Sequence, residues 1–444
     1  MRRPAPRLAP DFKIAPHWWD AAPRPAPEAP PLPLHVDVAI VGSGITGLSA
    51  ALHLARGGRD VAVLERDALG IGASSRNAGY VGRAFKHMFG KLLRKRGPDF
   101  AVVVYRELQA AFDSVVETVR NEAIDCHFHI CGRFIMAVSP AQYETIAEEL
   151  ELRRRHLGQE FEMVPRAQQH TEIGSDVYYG GAVVPDLGCI HPGLYHQGLV
   201  DRARDAGAEL HTLTPVTSIA PNGEGFVVTT GRGTLRARDV LVATNGYTGG
   251  ATPWLARRVI PFDAFMIATE SLPPELLDRV LPTGRTCLDD NHNIDFIRRS
   301  PDGDRILFGG RTGNGETDPL VVAGELQPRL DRLFPDLAGV SLARAWTGRC
   351  AGTFDLWPHL GVHDGITYAM GYGLLLWRRG DGDLSRHEGG ASHPGGGRRS
   401  KRVRRSAVSD RAGLCGQSVV RAVGDALVGL AGHTRAAPLC QVGA

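Results

Sequence analysis

The chain has no apolar run approaching the ~20 residues that a helix needs to cross a bilayer, so no membrane span is expected. Its seven cysteines are scattered and include no Cys-x-x-Cys pair, which leaves reduced thiols and no metal framework as the expectation. The 17 histidines are dispersed as well. His127 and His129 alternate on an expected strand with Cys126 and Cys131 nearby, too thin a pattern to predict a metal centre. Residues 1–35 are rich in proline and alanine but lack the apolar core of about 7–15 residues that marks a signal peptide. They read as an extended N-terminal arm, and a cytoplasmic location is the expectation. What is present, 444 residues with 43% apolar and 22% charged, suffices for two domains with sizeable cores.

The most informative stretch runs from Val36 to Arg66. An apolar strand, Val36 to Val41, leads directly into Gly42-Ser43-Gly44-Ile45-Thr46-Gly47, followed by an apolar helix and a second strand, Val61 to Leu64, ending on Glu65. Gly42 permits the tight turn, Gly44 lets backbone N–H groups approach a pyrophosphate, and Gly47 lets helix pack closely on strand. The positive end of the helix dipole then faces the anion. Glu65 stands where an acid accepts hydrogen bonds from an adenosine ribose and repels a 2′-phosphate. This is a dinucleotide site for FAD or NAD.

Two further segments narrow the choice. Gly70-Ile71-Gly72-Ala73-Ser74-Ser75-Arg76-Asn77-Ala78-Gly79 is a small-residue loop, too rich in glycine and serine for a core element. Asp239-Val240-Leu241-Val242-Ala243-Thr244-Asn245-Gly246 reads as a buried parallel strand that stops in a turn. With Cys189-Ile190-His191-Pro192-Gly193-Leu194-Tyr195 and Leu307-Phe308-Gly309-Gly310-Arg311, these segments resemble the D-amino-acid oxidase superfamily, the branch of glycine, sarcosine and γ-glutamylputrescine oxidases. The likeness spans roughly Trp18 to Tyr372. It implies an α/β fold in which a Rossmann-like FAD-binding domain is interleaved with an α+β substrate domain on a mixed or antiparallel sheet. It also implies that Ser74, Ser75, Arg76 and Asn77 lie along the ribityl phosphate and the isoalloxazine ring. Arg66, Val216, Ala243, Thr244, Gly246 and Gly371 complete the FAD residues it suggests.

The chain alternates between the two units. Residues 36–90, 186–250 and 343–372 are expected to build the FAD domain, and residues 91–185 and 251–342 the substrate domain. Charged helices near Val102–Asn121 and Ala141–Leu157, and a strand at Arg133–Val138, open the second unit. Pro301-Asp302-Gly303-Asp304 is a hairpin turn in its second excursion.

The resemblance implies that FAD accepts hydride from the carbon beside an amine or amino-acid nitrogen, with water hydrolysing the imine and oxygen or a quinone-type carrier taking the electrons. No acid–base dyad is required when the amine arrives neutral. A substrate carboxylate would need a cation, and reduced flavin needs positive charge or dipole beside it. Arg83, followed by Lys86 and His87, is the candidate for bidentate carboxylate binding. Arg298 is a second, because relatives carry an aromatic-x-Arg on the strand flooring the substrate cavity. His191 matches a His-Pro element of the family and is a third candidate. Each has a plain structural alternative: a solvated basic turn, the outer face of a hairpin, a helix cap. His87 and Cys350 are conceivable points of covalent flavin attachment, and Trp346 reads as packing.

The end of the chain breaks the pattern. Residues 373–444 carry 12 Lys and Arg against 5 Asp and Glu, so the basic balance of the whole protein resides there. A basic arm for nucleic acid is one reading of it, and an unlikely partner class for the rest of the chain. The favoured reading is a frameshift after about Tyr372, leaving an aberrant, disordered tail. Permitted codons for Trp377–Pro394, moved one base forward, spell the kind of helix that the resembling family carries at this point. A catalytically impaired copy and an NAD-dependent oxidoreductase remain as alternatives.

Overall fold

The computed structural model describes residues 5–83, 85–289, 294–313 and 318–373. The expected tail and frame change therefore lie outside the described residues. Two large sheets organise the chain. The first contains β2 (His35–Val41) and β3 (Val61–Leu64), joined by helix α2 (Ile45–Arg56), and β9 (Glu209–His211), all parallel. On the far side of β2 lies the long β12 (Gly233–Val242), also parallel to it. The first half of β12 continues antiparallel into β11 (Gly225–Thr230) and β10 (Val216–Asn222), while its last residues pair with β19 (Ile366–Met370), which holds β18 (His359–His363).

The alternation of β2 explains why this strand is central. Val38 and Ile40 pack under α2 and helix α6 (Pro192–Asp205), whereas Ala39 and Val41 join the cluster of Val228, Leu235 and Val240 on the other side. A strand covered on both faces reads as a continuous apolar run, as His35–Val41 nearly does.

The second sheet has nine strands in the order β1 (Leu8–Lys13), β17 (Leu342–Gly352), β13 (Ile260–Thr269), β16 (Ile306–Gly313), β15 (Phe296–Arg299), β14 (Thr286–Asp289), β5 (Arg133–Met136), β7 (Gly181–Val184), β6 (Glu162–Val164). Its pairs are antiparallel except β1 with β17 and β14 with β5, so it is mixed, as expected. Helices α3 (Phe89–Arg96) and α4 (Pro98–Asn121) precede β5 in the chain, and α5 (Pro140–Leu157) connects β5 to β6. A two-stranded ribbon, β4 (Tyr80–Val81) with β8 (Gly188–Cys189), completes the strands. Among the described residues no helix is long and apolar enough to cross a membrane.

Two expectations are corrected. The N-terminal segment is more than an extended arm: β1 closes the edge of the nine-stranded sheet, and the short helix α1 (Trp18–Ala21) buries Trp18 completely against Met266, Leu307 and Trp346. Removing so buried a tryptophan costs about 3–5 kcal/mol. Residues 342–352 belong to the nine-stranded sheet rather than the FAD-side sheet, because β17 pairs along its whole length with β13.

Candidate functional site

The turn after β2 is held open by glycine. Gly42 has φ +102°, a conformation that L side chains rarely adopt. Gly47 sits in the first turn of α2, where a Cβ would stand 2.0 Å from the Gly42 carbonyl oxygen. The N-terminus of α2, capped by the backbone of Gly44 with no side-chain acceptor on that residue, therefore opens into a cavity of about 650 Å³.

Glu65 closes the base of this turn. Its Oε2 accepts from the Ser43 N–H at 3.0 Å and the Ser43 hydroxyl at 2.7 Å, and Oε1 accepts from the Asp67 N–H at 3.0 Å. The serine-rich loop forms the adjoining wall. Ser74 Oγ accepts the Ile45 N–H at 3.0 Å, tying the loop to the start of α2. Buried Ser75 accepts from the Trp19 indole N–H at 3.0 Å and donates to the Gly70 carbonyl. Arg76 donates to the carbonyls of Ile71 (2.7 Å) and Thr347 (3.0 Å), and its guanidinium lies 4.5 Å over the Trp19 ring. Asn77 locks the loop's exit, donating to the Ser74 carbonyl and accepting from the Gly79 N–H, both at 2.9 Å.

Of the expected cofactor residues, Gly42, Gly44, Ile45, Thr46, Glu65, Arg66, Ser74, Arg76, Val216, Ala243 and Thr244 line this cavity. Gly47, Ser75, Asn77, Gly246 and Gly371 do not line it. Gly246 permits close approach, since a Cβ there would lie 2.6 Å from the Cys350 carbonyl. Gly371 has φ +89° and donates its N–H to Asn245 Oδ1 at 2.9 Å. The opposite wall consists of residues that local motifs did not reveal: Asp263 of β13, Thr347 and Arg349 of β17, Tyr247 and Tyr372. Arg349 pairs with Asp263 at 3.2 Å.

The residues fit a bound FAD. The α2 N-terminus and the glycine turn suit a diphosphate, and the cavity continues from there to the faces of β13 and β17. Beside Gly70, buried Arg24 Nη1 and His196 Nδ1 have no hydrogen-bond partner among the described residues. Burial lowers the His196 pKa to about 4, so its imidazole is neutral, with Nε2 against the Ser43 carbonyl at 2.8 Å. With the Nε2 proton given to that carbonyl, Nδ1 is an acceptor, and a ligand hydroxyl in the cavity that His196 lines would satisfy it.

The three candidates for substrate chemistry lie elsewhere, each committed to protein partners. Arg83 is buried and donates to Gln109 Oε1 (2.7 Å) and Asp186 Oδ1 (2.5 Å). Arg298, also buried, donates through Nη1 to the carbonyls of Ala78 (3.1 Å) and Ile190 (2.9 Å) and through Nη2 to Cys189 Sγ (3.5 Å). It brackets the chain just after the serine-rich loop to β8. His191 caps α6, its Nδ1 accepting the Leu194 N–H at 3.1 Å, and burial lowers its pKa to about 4. Neither His87, stacked on Trp357, nor Cys350 lines the cavity. Trp346 is packing, as expected, and its indole N–H donates to the Arg76 carbonyl at 2.9 Å. A second cavity, about 190 Å³, lies between Asn77, Tyr80, Phe112, Val115, Ile190 and Tyr195.

Comparison with known proteins follows this geometry. The model of the family described as FAD dependent oxidoreductase (DAO) matches residues 37–376. Gamma-glutamylputrescine oxidoreductase of Escherichia coli (strain K12) is 33% identical over 338 residues, covering 76% of this chain and 79% of that protein. Glycine oxidase of Geobacillus kaustophilus is 28% identical over 371 residues, covering 77% and 89%. The crystal structure of glycine oxidase from Geobacillus kaustophilus superposes with a TM-score of 0.64 at 23% identity, over 76% of this chain and 90% of that one.

Proposed function

Since the chain belongs to the DAO family of FAD-dependent oxidoreductases, we propose that it oxidises the carbon–nitrogen bond of a primary or secondary amine or an amino acid. The observation that carries this reading is the single cavity joining the glycine turn to the nine-stranded sheet. Bound FAD supplies a two-electron acceptor for hydride from the carbon bearing nitrogen. The protein's share is orientation and charge. Gly42, Gly44, Ile45 and Thr46 present backbone at the head of α2, Glu65 holds that turn rigid, and Ser74 and Arg76 form the wall. Arg76, which donates to backbone carbonyls, places positive charge along the cavity, where charge developing on a reduced cofactor is best stabilised. Relatives named for gamma-glutamylputrescine and for glycine define the substrates to try first. The proposed acceptor is oxygen or a quinone-type carrier.

The test is anaerobic mixing of FAD-loaded protein with a panel of amines and amino acids, followed by oxygen or a soluble quinone. Bleaching of the visible flavin band by an amine, reversed by one acceptor, supports the reading. Bleaching by NADH and by no amine overturns it. The family match stops at residue 376, and we propose that the reading frame changes after about Tyr372. Sequencing the gene there tests this: the idea fails when no single-base change opens a family-like frame.

A further inference from the structure

One cluster of ligating side chains plays no part in the cavity. The segment after α4 does not form the expected strand through His127, which has φ +50°. Instead His129 forms an isolated antiparallel bridge with Cys189 of β8, exchanging two backbone hydrogen bonds of 3.2 and 3.0 Å. The bridge continues through the Gly132 N–H to the Leu187 carbonyl at 2.8 Å. Residues two apart on an extended segment share a face. His129 and Cys131 therefore project to the side on which Cys189, opposite His129, projects too. The ligating atoms of the three lie within 4.8 Å of one another, and His129 Nε2 is 3.5 Å from Cys189 Sγ.

The 3.5 Å between His129 Nε2 and Cys189 Sγ matches one edge of a coordination shell. Zinc bonds of about 2.3 Å to sulfur and about 2.0–2.1 Å to nitrogen imply ligand–ligand edges of roughly 3.5–3.8 Å in a tetrahedron. Surrounding groups are arranged to match. His129 Nδ1 lies 3.0 Å from the His127 carbonyl, and donation there leaves the Nε2 lone pair facing the sulfurs. The Arg298 guanidinium donates to Cys189 Sγ, which fixes the position of that sulfur. Cys189 is buried and Cys131 half-buried, while His129 is exposed, giving an entry path and room for a water.

We propose that His129, Cys131 and Cys189 form a binding site for a thiolate-seeking d10 cation, Zn²⁺ foremost, with water as fourth ligand. Binding displaces the thiol protons still present and forms two metal–sulfur bonds and one metal–nitrogen bond, with no change of oxidation state. The ion would clip the segment after α4 to β8, whose next residue, Ile190, lines the smaller cavity. Sequence spacing hides the site because Cys189 is contributed from 58 residues beyond Cys131.

The experiment titrates Zn²⁺ into FAD-loaded, full-length protein kept under reductant, in competition with a chromophoric chelator. One ion per chain is expected, with Cys131→Ser, Cys189→Ser and the surface change His129→Ala each weakening uptake at least about tenfold and Cys126→Ala leaving it unchanged. The His129 variant keeps the test valid should either cysteine variant fold poorly. Uptake equal in parent and His129→Ala, or no stoichiometric uptake by the parent, overturns the proposal. So does thiol counting that finds Cys131 and Cys189 joined as a disulfide under the same reductant.

Discussion

Replacing Gly47 by alanine probes the cofactor site where its tolerance is smallest. The new Cβ would stand 2.0 Å from the Gly42 carbonyl oxygen, 3.2 Å from its carbon and 3.3 Å from an Ile40 methyl, whereas Cβ atoms keep beyond 3.0 Å of such neighbours. Relief requires α2 to retreat by about 1 Å, because backbone cannot rotate away as a side chain does. Leu48, Ala50, Ala51 and Leu54 on that helix are completely buried, so the retreat strains a packed core. Overpacking of this kind costs about 1–3 kcal/mol, occasionally more. Part of that cost falls on the free protein as lost stability, and part on the complex, since the N–H array leaves the phosphates. Were the upper value to fall on the complex, FAD affinity would drop about a hundredfold, at about 1.4 kcal/mol per factor of ten. Gly44→Ala is the internal comparison: its Cβ would meet only the Ser74 hydroxyl, at 3.0 Å, and a hydroxyl can turn aside. Its effect on stability should stay below about 1 kcal/mol. Fluorescence titration of the apo-proteins with FAD, alongside thermal unfolding, reads both effects. A Gly47→Ala protein with parental affinity and parental stability would refute the steric argument, as would a Gly44→Ala protein damaged more than it.

Three further outcomes are expected. Burial and the neighbouring Asp289 raise the Asp295 pKa to about 7, outweighing the Arg329 partner at 2.8 Å. A carboxyl that holds its proton more tightly folded than unfolded contributes stability at low pH and loses it as pH rises from about 4 to 7. Asp295→Asn should therefore flatten the thermal midpoint against pH over that window, and an unchanged slope counts against the assignment. Arg298→Met and Arg83→Met should lower the thermal midpoint while leaving KM for a carboxylate-bearing amine within about twofold. A large rise in KM at parental stability would make either one a substrate ligand. Trp19→Phe removes the indole N–H from Ser75 and should weaken FAD binding by about tenfold, the scale of one hydrogen bond to a buried acceptor. Parental affinity in the same titration would dissociate α1 from the cofactor site.

Half of the cavity was legible in the sequence because it is written locally. The turn from Gly42 to Gly47, the acid at Glu65 and the loop from Ser74 to Asn77 each carry their geometry in a few consecutive residues. The other half was not. Asp263 and Arg349 meet because β13 and β17 pair antiparallel over ten positions, a contact that no short motif encodes. Arg83 and Arg298 show the converse difficulty. Their residue type suggested a charge waiting for a ligand, but the partners that absorb it, Asp186 and the Ile190 carbonyl, are distant in sequence. The N-terminal segment was misread for a compositional reason, since proline and alanine suggest an arm and a six-residue strand leaves little periodic signal.

The position of β1 carries a consequence for how the protein is made. Leu8 pairs with Leu342, so among the described strands β1 waits for β17. At about 5–20 residues per second that wait is on the order of tens of seconds. The edge of the nine-stranded sheet, and the seat of Trp18 against Trp346, can form only after β17 has been made. Trp18 thus finds its full seat late, and a nascent chain that stalls before β17 lacks the Trp346 ring that closes it.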